Sequence, residues 1–256
     1  MTKLKKLIFV GDSHVAMIKR AVDMEKDLGA AASFDFLVQA FTKELNLGHM
    51  ECESDYCWAR SLVARVPLKT ARGADRFYPD AYDAVVLVGL RTELPYALWD
   101  GYYWEPGAKE DGKLHLSADA YMCALRDVIE QQSIAVAVAR KIRSISRCPM
   151  LLLPNPYIDA GLRNTRIWPP REGVSDRKIS ASRIRNEQAN LSSWKTALRE
   201  ALSPYNVEIL FQLEQTTTDS IFTRSDYSRG QSKQFDMRHM TAKYGRVIID
   251  QVLRAV

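Results

Sequence analysis

Apolar residues along the chain fall into short runs separated by longer stretches with helical spacing. Leu7 to Val10 predicts a first strand and Phe34 to Val38 a second. Ala84 to Val88 predicts a third, apolar at every position, as expected of a strand covered on both faces. Met150 to Leu153, closed by Pro154, predicts a fourth, and Val207 to Phe211 a fifth. Helical patterns fill the gaps. Val15 to Leu28 carries apolar residues at helical spacing and ends at Gly29, a residue suited to a C-cap. Ser117 to Ile145 predicts one long helix, with Asp119 and Asp127 early and Arg140, Lys141 and Arg143 late, a charge order that suits the helix dipole. Ser180 to Leu202, stopped near Pro204, and Thr241 to Leu253 predict two more. Strand alternating with helix predicts an α/β fold: a parallel five-stranded sheet with helices on both faces. With no repeat, low-complexity tract or linker in view, residues 1–256 read as a single domain.

Composition agrees with that reading and removes others. At 256 residues, 46% hydrophobic and 26% charged, the chain can bury a core of its own, and fibrous or disordered classes fall away. The run from Cys148 to Ile158 lacks charge but is eleven residues long and broken by three prolines. A spanning helix needs about 20 apolar residues, so no membrane segment is expected. The apolar stretch after the basic start, Leu7 to Val10, stops at Gly11-Asp12. A secretory core needs about 7–15 residues, so the expected location is the cytoplasm. Cys52, Cys57, Cys123 and Cys148 are too few for a disulfide framework, and four free thiols are expected. His49, Cys52 and Cys57 lie close together, but no second Cys/His pair stands at metal-ligand spacing. The net charge of +5 favours acidic partners and falls short of a nucleic-acid-binding stripe. Between Arg163 and Glu187, seven Lys/Arg stand against three Asp/Glu, a basic loop that is either a solvated insertion or an anion-facing surface.

Open parallel sheets bind ligands beyond the carboxyl ends of their strands, so the residues following each strand matter most. After the first strand comes Gly11-Asp12-Ser13-His14, leading directly into a helix. Ser13 there is either an N-cap or a nucleophile whose developing oxyanion meets free helix N–H groups. Asp236-Met-Arg-His239 just before the final helix favours the second reading. A carboxylate three residues from an imidazole can orient Nδ1–H and leave Nε2 as the base such a serine needs.

These two blocks, with Met240-Thr-Ala-Lys-Tyr-Gly245 after the second, resemble those of the SGNH/GDSL hydrolase family. The resemblance implies a flavodoxin-like three-layer α/β/α sandwich and a Ser–His–Asp esterase or acyltransferase mechanism. Ser13 would be nucleophile and one oxyanion donor, His239 the base and Asp236 its orienter. Gly48, between Gly29 and Gly73, matches the family's second oxyanion glycine. The third block departs from the pattern, because Gly89-Leu90-Arg91 places Arg91 where the family carries an oxyanion-donating Asn. A guanidinium can donate in its place, bind an anionic group, or point away.

Tyr96, Trp99, Tyr102, Tyr103 and Trp104 follow on the same side of the sheet. Flat aromatic faces suit sugar rings, and a self-packed loop or dimer contact is the other reading. Asn155, between Pro154 and Pro156, is either a polar group facing the crevice or a turn residue bonding its own backbone. His14 takes the place of the family's Leu, and Gly-Asp-Ser-His resembles blocks associated with polysaccharide O-acetylation. Asp12, His14, Tyr96, Trp99 and Asn155 are accordingly the expected substrate-binding residues. The function expected is a serine esterase acting on a small acyl ester, an acetyl group on a carbohydrate, through an acyl-enzyme. An O-acyltransferase would share the first half-reaction, and a non-catalytic glycan or anion binder is the contrasting class. No cofactor and no metal enters this mechanism, and the partner expected is the ester substrate alone, with no nucleic acid or membrane.

Overall fold

The computed structural model describes residues 4–38, 50–59, 76–92, 103–104, 114–115, 117–157, 159–160, 181–229 and 239–256. Five parallel strands form the central sheet: β1 (Lys5–Gly11), β2 (Ala32–Val38), β3 (Ala84–Val88), β4 (Met150–Leu153) and β5 (Val207–Ile209). Their spatial order is β5-β4-β3-β1-β2. The chain steps from β1 outward to β2, then crosses back to β3 and continues the other way. That reversal opens a crevice beyond the carboxyl ends of β1 and β3.

Side chains alternate across the sheet. Leu7 and Phe9 of β1, Val86 and Val88 of β3, and Leu151 and Leu153 of β4 face one layer, built by α1 (Val15–Met24) and, once the rest of the chain is laid down, its final helix. Ile8, Val10, Val85, Leu87 and Leu152 face the other layer. There α2 (Ala118–Gln132), α3 (Ile134–Ile145) and α4 (Ala181–Leu202) cover them, with Trp194 fully buried. The final helix, α5 (Ala242–Ala255), packs beside α1. This is the α/β/α sandwich the alternation of elements predicts. No helix among the described residues is long and apolar enough to cross a membrane.

Four local expectations are corrected. The first helix stops at Met24 instead of Leu28, and Gly29 lies inside a separate short turn, Leu28–Ala31, so it caps nothing. Glu25 is extended there, and its carboxylate and that of Asp27 both engage Arg246 of α5, the latter at 2.9 Å. A tertiary ion cluster therefore holds the chain where local periodicity would continue the helix. The long helix over 117–145 breaks at Ser133, which ends α2 with its N–H on the Ile129 carbonyl and starts α3 with its hydroxyl on the Val136 N–H. The break lets Ala135 N–H reach the Leu90 carbonyl, 3.0 Å away, beyond the end of β3. The expectation of four free thiols fails at one pair. Cys52 and Cys57 lie directly opposite each other on an antiparallel hairpin, Met50–Glu53 and Tyr56–Ala59, and form a disulfide. Left-handed Ser54 (φ 54°) closes that hairpin, a turn that the spacing of the cysteines did not announce. Cys123 and Cys148 are free, and burial pushes the Cys148 thiol up to about 11. The predicted β5 is also shorter, ending at Ile209.

Gly245 sets how closely α5 approaches α1. A Cβ placed there would lie 2.4 Å from the Met17 carbonyl oxygen, so only glycine permits this spacing. Alanine in a helix interior ordinarily stabilises by up to about 1 kcal/mol over glycine. Here Gly245→Ala should instead destabilise by about 1–3 kcal/mol, the range for overpacking a fitted contact. Urea unfolding checks it, and an unchanged or higher midpoint would contradict the close approach.

Candidate active site

Ser13 stands two residues beyond β1 at the start of α1. The turn is tight because Gly11 has no Cβ, which would lie 2.2 Å from the Val88 carbonyl oxygen of the neighbouring strand. Val15 N–H bonds the Asp12 carbonyl and Ala16 N–H the Ser13 carbonyl, starting the helix. The Ser13 N–H itself makes no hydrogen bond among the described residues, which leaves a donor beside the hydroxyl.

His239 arrives from the other end of the chain. The strip entering α5 is pinned by an antiparallel bridge between Ser228 and Met240. Arg229 N–H bonds the His239 carbonyl at 3.0 Å, and Thr241 N–H bonds the Tyr227 carbonyl at 2.8 Å. With its backbone held on both sides, His239 places Nε2 2.9 Å from Ser13 Oγ, across 226 residues of sequence. Ser13 and His239 are both half-buried. Asp236, the expected orienter, lies outside the described residues, as do Gly48, Tyr96 and Trp99.

Asp12 and His14, expected at the substrate, are instead buried in the turn. Asp12 is 2% exposed. Its Oδ1 accepts His14 N–H at 2.8 Å and lies 2.7 Å from His14 Nδ1, and its Oδ2 accepts Leu90 N–H at 3.1 Å. Burial alone would raise its pKa. The charge and ring hydrogen bond of His14, with the backbone N–H groups of His14 and Leu90, outweigh burial and hold the carboxyl below its ordinary value.

The segment after β3 is shaped around that carboxylate. Gly89, Leu90 and Arg91 all take left-handed backbone, at φ 74°, 62° and 43°. A Cβ on Gly89 would sit 2.4 Å from Asp12 Oδ2. Left-handed non-glycine residues persist only where surroundings over-determine them. Here Asp12 takes Leu90 N–H, the Leu153 carbonyl takes Gly89 N–H at 2.9 Å, and Trp194 Nε1 donates to the Thr92 carbonyl at 2.8 Å. Arg91 is exposed on this turn. In strand register Gly11, Val88 and Leu153 are level, so Ser13, Leu90 and Asn155 each stand two residues beyond that line. The Asn155 Oδ1, the acceptor that a turn bonding its own backbone would use, is buried without a hydrogen bond. Thr92 Oγ1, which sequence reasoning passed over, is buried and unbonded as well.

No protein-family model and no curated protein matches the chain. Among solved structures, an extracellular lipase from Streptomyces rimosus is similar at 12% identity, covering 98% of this chain and 100% of that one, with a TM-score of 0.48. An acetyl xylan esterase, AlAXEase, is similar at 13% identity, covering 98% and 99%, with a TM-score of 0.46. A phospholipase A1 from Streptomyces albidoflavus NA297 is similar at 10% identity, covering 99% of both chains, with a TM-score of 0.42.

The lowered Asp12 value links stability to pH. A carboxyl held below its ordinary 3.8 stabilises the fold above that pH, and the contribution is lost as pH falls through the folded value. Asp12→Asn should therefore be less stable than the wild type at neutral pH, with the gap narrowing below about pH 4. Urea unfolding at pH 7 and pH 3 checks it. A gap of constant size would mean that the carboxylate charge contributes nothing.

Proposed function

We propose that this protein is a serine esterase that removes a small acyl group, an acetyl on a carbohydrate hydroxyl, through a Ser13 acyl-enzyme. The observation that carries the reading is the 2.9 Å approach of His239 Nε2 to Ser13 Oγ. That is hydrogen-bond distance for a nucleophile and its base. With the ring proton on Nδ1, Ser13 donates its hydroxyl hydrogen to Nε2 and Oγ attacks the ester carbonyl. The tetrahedral oxyanion meets the Ser13 N–H, with Gly48 N–H and the Arg91 guanidinium as further donors. His239 then passes its proton to the leaving alcohol oxygen, and the C–O bond breaks. Water enters, gives a proton to Nε2, and attacks the acyl-enzyme; the return of that proton to Oγ frees the acid. Asp236 orients the ring in this scheme. The Gly-Asp-Ser-His block supports the acetyl-carbohydrate substrate, with Tyr96, Trp99 and Asn155 as its contacts. The same block supports transfer to a sugar hydroxyl in place of water.

A fluorophosphonate probe should label native wild-type protein at Ser13, and neither Ser13→Ala nor denatured protein should react. Both Ser13→Ala and His239→Ala should lose hydrolysis of p-nitrophenyl acetate. The double variant should be little worse than either single, because the two residues act as a unit. Substantial turnover by purified Ser13→Ala would end the esterase reading. Product analysis with an added sugar acceptor separates hydrolysis from transfer.

Arg91 calls for paired kinetics on a neutral and an anionic ester. As an oxyanion donor, its removal in Arg91→Ala should lower kcat about 100- to 1,000-fold on both, with little change in KM. As an anion clamp, it should mainly raise KM for the anionic ester, an effect that salt reproduces. Unchanged kinetics on both esters would leave Arg91 outside the site.

A further inference from the structure

The turn that carries Ser13 holds a second carboxylate–imidazole pair, which the mechanism above does not use. Asp12 is ionised and can only accept, so the hydrogen in the 2.7 Å contact belongs to His14 Nδ1. The His14 ring is buried, and its plane lies tilted at 34° to that of His239, with centroids 5.6 Å apart. Asp12 thus contacts His14, His14 lies beside His239, and His239 reaches Ser13 Oγ. An imidazole fixed through Nδ1–H to a buried carboxylate cannot turn, and the ring beside it is braced in consequence.

We propose that the Asp12–His14 pair is a positioning device for His239: His14, anchored by Asp12, braces the catalytic ring against Ser13. The inference rests on the esterase reading and adds two residues to it. Around His239 the chain also places Ser13 from the β1–α1 turn and Arg229 from the bridging strip, which donates its backbone N–H to the His239 carbonyl. Asp236 lies outside the described residues. Asp12 and His14 are positioning residues, acting through His239 without touching the ester.

The test uses Asp12→Asn and His14→Asn in the full chain, with kcat and KM measured on p-nitrophenyl acetate. Asn at position 14 can keep a donor near the Nδ1 site while deleting the ring that braces His239. Each variant should lower kcat about 10- to 100-fold with KM little changed, as for other partners that orient a functional imidazole. A purely structural role would lower the folded fraction or raise KM and leave kcat of the folded enzyme unchanged. Should Asp12→Asn fail to fold, His14→Asn carries the test through its kcat-against-KM split. Wild-type kcat in both variants would overturn the proposal, as would a rise in KM with kcat unchanged. A wild type that neither hydrolyses ester nor accepts the fluorophosphonate would instead remove the esterase reading itself.

Discussion

The site depends on how closely the first and last helices lie. Ser13 lies two residues before α1 and His239 precedes α5, so their 2.9 Å approach is set by the spacing of those two helices. Gly245 permits that spacing by bringing its bare backbone against the Met17 carbonyl. Arg246, the next residue, reaches Glu25 and Asp27 just beyond the other end of α1. One glycine and one arginine on a single turn of α5 thus govern both how near α1 lies and where it stops. The exposed ion cluster contributes modestly to stability, and its main effect is on register.

Beneath that helix pair, Asp12 organises the crevice. A buried carboxylate is costly unless each oxygen is bonded, and here both are. The donors come from two directions: His14 from its own turn and Leu90 from the segment after β3. Gly89 makes room for the carboxylate, and left-handed Leu90 and Arg91 follow from the same accommodation. Strain in the β3 turn is therefore offset by hydrogen bonds to Asp12, α3 and Trp194. The break in the helical region at Ser133 belongs to this arrangement, because it frees the start of α3 to bond the Leu90 carbonyl.

Much of this was legible in the sequence. The apolar runs marked the strands, β3 and β4 most plainly, because a strand buried on both faces has to be apolar throughout. The alternation of strand and helix determined a parallel sheet, since parallel neighbours need crossovers and helices supply them. Ser13 and His239 could be paired from two short blocks at opposite ends of the chain, because each stands at the junction of an element end and a helix start.

Other features depended on contacts between distant residues, and no local pattern encodes those. The end of α1 was decided by Arg246, more than two hundred residues away, against a helical periodicity that ran on to Leu28. The Cys52–Cys57 bridge was decided by a hairpin turn at Ser54 whose left-handed backbone no residue type announced. Asp12 and His14 show the division most directly. Their sequence marks them as members of a catalytic block and says nothing about which way each side chain turns. Only folding β3 against β1 offered Asp12 a buried N–H at Leu90, and that donor drew the carboxylate inward with His14 behind it. The sequence by itself determined the order of elements and which two residues, Ser13 and His239, could be paired; the tertiary structure decided which of their neighbours turn inward, because burial and hydrogen bonding are properties of the packed chain.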